Sequence, residues 1–180
     1  IKKEKLTLLY VARYSPEKGY EILFKVLSKV KFNFKLVLVG TNCNKENKEL
    51  IYKLSLLNCE YEIYESTDDL TYFYKQSAFT LLFSRSEASP NVLVESMLSG
   101  TPCISTPVGN VKIIINSFGW ISNDFEVDSI LSCINEANKV FLQEDKYKKL
   151  CFDAFNHAYQ NFDLKKMISA YSKLYKLIGD

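Results

Sequence analysis

Short runs of β-branched, aliphatic and aromatic residues alternate along this chain with longer segments whose apolar residues recur at helical spacing. The short runs predict strands over 6–12, 34–39, 61–64, 78–83 and 102–106, with a shorter one at 120–121. The segments between them predict helices over 20–30, 46–57, 68–76 and 91–99. Strand, helix, strand alternation of this kind predicts an α/β fold, a doubly wound, Rossmann-like parallel sheet of about six strands with helices on both faces.

After residue 124 the strand-like runs stop, and helices are predicted over 127–142, 146–159 and 164–178. The last segment carries an apolar stripe, from Leu164 to Ile178, with lysines on its other faces. We interpret it as a packed helix with a solvated basic face rather than as a membrane-binding helix. The chain shows no repeat or linker, so residues 1–180 are expected to form one domain.

Composition narrows the class of protein further. Of 180 residues, 47% are apolar, 24% are charged and only six are glycine and four proline, which excludes disordered and collagen-like chains. The net charge of +2 is too small for a basic nucleic-acid-binding surface. Five irregularly spaced cysteines and one histidine argue against a disulfide framework or a structural zinc site. The same cysteine pattern leads us to expect a reducing, cytoplasmic location. No apolar run is long enough to span a bilayer.

In a doubly wound sheet, ligands bind beyond the carboxyl ends of the strands. After the first predicted strand the chain turns through VARYSPEKGY, which places Arg13 and Lys18 at one edge. Two cations on one tight turn suit a diphosphate, because Arg offers a planar fork and Lys a mobile point charge. Any surface turn can also carry an arginine and a lysine. This motif alone therefore does not distinguish a diphosphate-binding loop from an ordinary surface turn.

The segment after the fourth predicted strand carries more polar chemistry. Ser89 followed by Pro90 predicts a helix N-cap and first helical residue, with free N–H groups on the three residues that follow. Glu87 lies just before this helix and Glu95 is the single charge within it. Spacing alone is equally compatible with two interpretations. Either both carboxylates bind a ligand, or Glu87 is simply a charge on a loop and Glu95 lies on the exposed edge of the helix.

The residues of these segments carry a family resemblance. The stretch SEASPNVLVESMLSGTPCISTPVGN is similar to the donor-site segment of glycosyltransferase family 4, the retaining GT-B enzymes, which runs roughly SxxEGFPNVLLEAMAxGxPVVATxxGG. The opening YVARYSPEKGYEILFKVL resembles the family's VGRLxxEKG block, and DDLTYFYKQSAFTLLFSRSE, NSFGWISN and NFDLKKMISAYSKLYKLI resemble its later blocks in the same order. The resemblance covers nearly the whole chain, and the two glutamates separated by seven residues are its most specific element.

The resemblance implies a site for a UDP-, GDP- or ADP-sugar donor, without a cofactor or a metal. It implies that Arg13 and Lys18 bind the diphosphate, that Glu87 binds hydroxyls of the donor sugar and that Glu95 binds the ribose. It also implies transfer with retention of configuration, with the charge on the leaving diphosphate stabilised by the two cations and a helix N-terminus. The implied catalytic residues are Glu87, Arg13 and Lys18, and the implied donor-binding residues are Arg13, Lys18, Glu87, Ser89, Pro90, Asn91, Val92, Leu93 and Glu95.

Two positions depart from the family pattern. Ala12 and Ala88 stand where the family usually has glycine, which narrows the approach to a ligand and leaves the donor preference open. Asp68 and Asp69 precede a predicted helix, and we interpret them as stabilising its first turn rather than as a metal pair. His157 falls in a late helix and is interpreted as a structural residue.

GT-B enzymes have two such domains, and this chain resembles only the second. We therefore expect an acceptor-binding domain to be absent from it, and expect this part alone to bind donor without turnover. The implied function is transfer to a saccharide or lipid-linked acceptor in bacterial surface polysaccharide, capsule or lipopolysaccharide synthesis, in the cytoplasm or peripherally at its membrane. The alternative is a Rossmann-like module that binds a nucleotide or a protein without transfer. A sugar-nucleotide epimerase is a third interpretation, for which the sequence offers no acid and base pair.

Overall fold

The computed structural model describes residues 5–162 together with Ile168 and Ser172. Strands and helices alternate until the sixth strand, after which two helices follow within residues 122–162. The strands are β1 (Thr7–Val11), β2 (Lys35–Val39), β3 (Glu60–Tyr64), β4 (Phe79–Leu82), β5 (Cys103–Ser105) and β6 (Trp120–Ile121). The helices are α1 (Tyr20–Leu27), α2 (Lys48–Ser55), α3 (Leu70–Gln76), α4 (Asn91–Leu98), α5 (Val111–Ile115), α6 (Val127–Phe141) and α7 (Glu144–Asn161). The predicted alternation is confirmed, and each predicted strand forms within one residue of its predicted ends.

The six strands form one sheet in the order β3-β2-β1-β4-β5-β6, and every neighbouring pair is parallel. The chain builds outward from β1 through β2 and β3, then returns to the other side of β1 for β4. In the register of the sheet, Leu9 of β1 lies between Val37 of β2 and Thr80 of β4. The predicted doubly wound parallel sheet is therefore confirmed, with its reversal of direction between β1 and β4.

The helices cover both faces of this sheet, because successive strand residues point to opposite sides. Leu8 and Tyr10 of β1 pack in a cluster with residues of α1, α2 and α6, whereas Leu9 packs with α3. On the α3 face, Leu82 of β4 and Cys103 of β5 pack with α4, α5 and α7. The connection from β1 to α1 and the connection from β4 to α4 consequently leave the sheet toward opposite faces.

Helix α5 is an element that the hydrophobic pattern does not predict. Its sequence, VKIII, is rich in β-branched residues, which favour strands. The N–H groups of Ile113 and Ile114 donate to the Asn110 carbonyl, and Val111, Ile114 and Ile115 are buried. Packing against the rest of the domain therefore overrides the local preference of these residues.

The last predicted helix, over 164–178, lies outside the described residues except for Ile168 and Ser172. Within the part of the chain that the structure describes, no helix combines the length and the apolar character needed to cross a bilayer.

Gly19 connects the first loop to the end of β4. Its φ is 72°, and a Cβ atom at this position would lie 1.9 Å from the Phe83 carbonyl oxygen. Gly100 has nearly the same φ, 74°, but a Cβ atom there would meet nothing within 4 Å. Both glycines therefore have a left-handed backbone, but only at Gly19 would a Cβ atom clash with a neighbouring backbone.

We expect Gly100→Ala to lower the free energy of unfolding by about 1 kcal/mol, because a left-handed backbone is unfavourable for alanine. Gly19→Ala should lower it by more than about 2 kcal/mol, because a backbone clash adds to the same unfavourable conformation. Urea denaturation of both variants measures the difference. Equal losses would show that the first loop can move away from Phe83 at little cost.

Candidate functional site

The loop after β1 runs from Ala12 to Gly19 at the carboxyl edge of the sheet. It contains a 3-10 turn over Pro16–Lys18, which Gly19 ends by donating its N–H to the Pro16 carbonyl. Proline at the start and glycine just past the end are the residues that favour such a turn. The turn places Lys18 opposite the loop that follows β4.

The loop after β4 carries Glu87 and leads into α4. The predicted N-cap at Ser89 is wrong by one residue, since the structure has Pro90 at the N-cap and Asn91 as the first helical residue. The physical reason is that Pro90 has ψ 104°, so its backbone is still extended. The first helical residues have no acceptor within the helix, so the N–H groups of Asn91 and Val92 can face a ligand.

The two loops meet in an ion pair between residues far apart in sequence. Lys18 Nζ lies 2.7 Å from Glu87 Oε1, and the two side chains are only 26% and 17% exposed. Beside the pair is a cavity of about 270 Å³. It is lined by Val11, Ala12, Lys18, Leu82, Glu87, Ser89, Pro90, Asn91 and Val92. Six of the nine predicted site residues thus surround one cavity.

Arg13 does not line this cavity. Its Nη2 and Nε lie 2.6 Å and 3.0 Å from Glu17 Oε1, and its side chain is 62% exposed. Because an exposed ion pair contributes little to stability, the guanidinium can exchange Glu17 for another anion at small cost. The sequence predicts that Arg13 and Lys18 lie at the same opening. In this structure only Lys18 lines the cavity, and Arg13 directly follows Ala12 of the cavity wall.

Leu93 and Glu95 also lie outside the cavity. Leu93 is fully buried, and its N–H donates to the Pro90 carbonyl at 3.2 Å, so it is not one of the free donors that the sequence predicts. Glu95 is exposed, yet the Tyr74 hydroxyl donates to its Oε2 at 2.9 Å. Burial, and then the charge of Glu95, raise the pKa of Tyr74, which keeps the hydroxyl protonated as a donor.

Glu95 faces a second groove, of about 520 Å³, between α4 and the start of α3. The groove is lined by Thr67, Asp68, Leu70, Thr71, Tyr74, Glu95, Leu98 and Ser99. Since Glu95 follows Asn91 by one helical turn, the groove and the cavity lie along one side of α4. The two openings together offer cationic, anionic and neutral polar groups along this edge.

Two residues that support the site were missed by the sequence analysis. Gly109 has φ 47°, and a Cβ atom there would lie 2.2 Å from the Glu87 carbonyl oxygen, so the loop after β5 rests on the backbone of Glu87. The Pro-x-Gly sequence before α5 is a turn signal that could have indicated this contact. Tyr74 is the other, and a tyrosine on the buried face of a helix requires a hydrogen-bond partner for its hydroxyl.

Asp69 and His157 make contacts within the fold and line neither the cavity nor the groove. Asp69 is the N-cap of α3 and accepts a hydrogen bond from the Tyr72 N–H, which confirms its interpretation as a helix-stabilising residue. His157 Nε2 lies 3.2 Å from the Ile113 carbonyl oxygen, in contact with α5. Among the described residues, no group of three or more His, Cys, Asp or Glu side chains is placed to hold a metal ion.

Comparison with known proteins now adds a family. Residues 1–150 match the model of the family described as "Glycosyl transferases group 1". An uncharacterized glycosyltransferase from Methanocaldococcus jannaschii is 27% identical over 179 residues. That match covers 96% of this chain and 48% of the relative.

Two further proteins illustrate the range of the likeness. A lipopolysaccharide 1,2-N-acetylglucosaminetransferase of Salmonella typhimurium is 28% identical over 153 residues, with 76% of this chain and 40% of the relative covered. The crystal structure of Anabaena HepE in complex with UDP-glucose superposes with a TM-score of 0.79 at 20% identity, covering 96% of this chain and 49% of that one. The chain thus spans about half the length, or less, of the proteins it matches.

The two ion pairs, Lys18–Glu87 and Arg13–Glu17, differ in burial, which predicts that they contribute differently to the free energy of unfolding. Lys18→Met should lower the free energy of unfolding by about 1–3 kcal/mol, because it leaves the largely buried Glu87 carboxylate without its charged donor. Glu17→Gln should leave the free energy of unfolding unchanged within error, because its pair with Arg13 is exposed to water. Urea denaturation measures both variants.

The double variant Lys18→Met with Glu87→Gln is the control, since a neutral amide does not require a cation. It should recover part of the stability lost in Lys18→Met. An Lys18→Met variant as stable as the wild type would show that the pair with Glu87 is worth no more than a surface contact.

Proposed function

This chain belongs to the group 1 glycosyl transferases, and from that premise we propose that it is the sugar-nucleotide-binding domain of a retaining enzyme of glycosyltransferase family 4. The observation that carries the proposal is the cavity where Lys18, Glu87 and the N-terminus of α4 meet. A cation, a carboxylate and free N–H groups at one opening match the phosphate and the hydroxyls of a nucleoside-diphosphate sugar.

The diphosphate is assigned to Lys18 and Arg13. Lys18 lies on the cavity wall, and its ammonium is within reach of an anion bound there. Arg13 reaches the same anion by leaving Glu17, an exchange that costs little because both side chains are exposed. The N–H groups of Asn91 and Val92 add donors at the positive end of the helix dipole. Leu93 contributes no N–H, because its N–H is bonded to Pro90.

The donor sugar is assigned to Glu87 and the loop through Ser89 and Pro90, and the ribose to Glu95. Glu87 is free to accept hydrogen bonds from sugar hydroxyls once the ammonium of Lys18 turns toward the phosphate. Glu95 has one carboxylate oxygen bonded to Tyr74, which fixes the other oxygen for a diol. One nucleotide lying along α4 reaches both openings.

The proposed reaction breaks the bond between the anomeric carbon and the diphosphate oxygen. Lys18, Arg13 and the α4 N-terminus stabilise the negative charge that develops on the leaving diphosphate. The acceptor hydroxyl then attacks the same face of an oxocarbenium-like carbon, which retains its configuration, and its proton passes to the oxygen of the departing diphosphate. Because these donors replace a divalent cation, we propose that transfer needs no metal, and transfer by the whole enzyme in EDTA tests this.

The acceptor is proposed to be a saccharide or a lipid-linked glycan, bound by a part of the enzyme outside this chain. The relative from Salmonella typhimurium acts on lipopolysaccharide by its name, which supports a role in bacterial surface polysaccharide, capsule or lipopolysaccharide synthesis. Such a role places the enzyme in the cytoplasm, with peripheral contact to the membrane that carries a lipid-linked acceptor. The odd number and irregular spacing of the five cysteines support a reducing compartment.

Calorimetric titration with UDP-, GDP- and ADP-sugars tests the donor site. We expect one nucleotide series to bind, and we expect Arg13→Ala combined with Lys18→Ala to weaken it by at least about tenfold, since two charged hydrogen-bond donors are lost. Lys139→Ala is the matched control, because Lys139 is an exposed cation paired with Glu136 on α6. Unchanged affinity in the double variant would contradict the assignment of the diphosphate.

The two carboxylates predict different losses for nucleotide and sugar nucleotide. Glu95→Gln should weaken the nucleoside diphosphate and its sugar derivative by the same factor, because both contain the ribose. Glu87→Gln should weaken the sugar derivative relative to the free diphosphate, since the free diphosphate lacks the hydroxyls that Glu87 binds and both ligands gain equally from the release of Lys18. The same titrations measure both.

A chain that binds the nucleotide equally with and without the sugar, independent of Glu87, would instead support the alternative of a nucleotide-binding module without transfer.

A further inference from the structure

Tyr10 places a phenol group at the centre of the sheet, where its partners on the adjacent strands are aliphatic. It is the fourth residue of β1, it is 1% exposed, and it lies between Leu38 of β2 and Leu81 of β4. Its ring packs edge-on against Tyr20 of α1, with the centroids 5.2 Å apart. Burying a hydroxyl at such a position is costly unless both its donor and its acceptor capacity are used.

The Tyr10 hydroxyl uses both, and it does so on the two loops of the candidate site. It accepts a hydrogen bond from the Phe83 N–H at 3.1 Å and donates one to the Lys18 carbonyl. Phe83 is the first residue after β4, in the loop that carries Glu87. Lys18 is the residue whose ammonium pairs with Glu87. The Tyr10 side chain therefore binds the backbone of both loops, the one that carries Lys18 and the one that carries Glu87.

Two backbone contacts also join these loops, but neither is made by Lys18 itself. The Arg85 N–H donates to the Glu17 carbonyl at 2.9 Å, and Gly19 lies directly against the Phe83 carbonyl. These contacts hold the residues on either side of Lys18. The carbonyl of Lys18 itself is held by Tyr10.

We propose that Tyr10 is a positioning residue of the donor site, whose hydroxyl fixes the backbone of Lys18 relative to the Glu87 loop so that the ammonium of Lys18 meets the donor diphosphate. This inference rests on the proposed function of the site. Tyr10 lies behind the cavity wall and acts through Lys18. Burial raises the pKa of Tyr10, so the hydroxyl stays protonated and remains a donor across the physiological pH range.

Tyr10→Phe removes the hydroxyl and keeps the ring. We expect it to weaken binding of the sugar nucleotide by about two- to tenfold, the effect of losing one ordinary hydrogen bond. Tyr147→Phe is the matched control, because Tyr147 is also a buried tyrosine and its hydroxyl donates to the Ala78 carbonyl at 2.7 Å, before the opposite end of β4. It should lower the melting temperature without changing the affinity.

A double-mutant cycle separates positioning from general stabilisation. If Tyr10 acts through Lys18, then Tyr10→Phe combined with Lys18→Ala binds within about twofold of Lys18→Ala alone, because the ammonium that Tyr10 positions is already absent. Losses that multiply instead would overturn the proposal, since Tyr10 would then act on the site without Lys18. An unchanged affinity in Tyr10→Phe would overturn it as well.

A second substitution guards against a Tyr10→Phe protein that does not fold. 4-Fluorophenylalanine at position 10 fills the space of the hydroxyl but cannot donate to the Lys18 carbonyl. It should weaken binding to the same extent, and wild-type affinity in that protein would overturn the proposal. If the wild-type chain binds no sugar nucleotide, the proposed function fails and the role of Tyr10 fails with it; if the wild type binds and the position 10 variants bind equally well, only the inference on Tyr10 fails.

Discussion

The topology of two neighbouring strands is the constraint on which the site depends. β1 and β4 are parallel and adjacent, yet β1 leads to α1 on one face of the sheet and β4 leads to α4 on the other. Two loops that leave in opposite directions open a crevice at the carboxyl edge. Lys18 and Glu87 lie on the two sides of that crevice, and their ion pair bridges it.

The environment of each charge determines what it can do. The Lys18–Glu87 pair is mostly shielded from water, so its charges interact strongly and neither is easily left alone. The Arg13–Glu17 pair is exposed and holds Arg13 only weakly. In the proposed donor site, a diphosphate would therefore meet one cation held in place, Lys18, and one that can leave its partner, Arg13. Glu95 belongs to neither pair, and its partner is the neutral hydroxyl of Tyr74.

Residues outside the lining of the cavity hold this arrangement. Gly19 and Gly109 let the backbones of neighbouring loops approach Phe83 and Glu87 more closely than a side chain would allow. Tyr10 ties the loops together from within the sheet. Such support is what keeps polar groups at fixed separations when they lie on loops rather than on strands or helices.

The sequence by itself determined the order of the elements, the parallel sheet, the loops that carry Lys18 and Glu87 and the helix that carries Glu95, because hydrophobic periodicity and turn residues act over a few neighbouring positions. It did not determine α5, whose β-branched residues form a helix only because the domain buries them. Nor did it determine that Lys18 pairs with Glu87, because that pair joins loops 69 residues apart in the chain, and only the tertiary structure sets the distance between them. That Arg13 turns to Glu17, four residues away, depends on the 3-10 turn between them and on the place that this turn takes against the loop after β4.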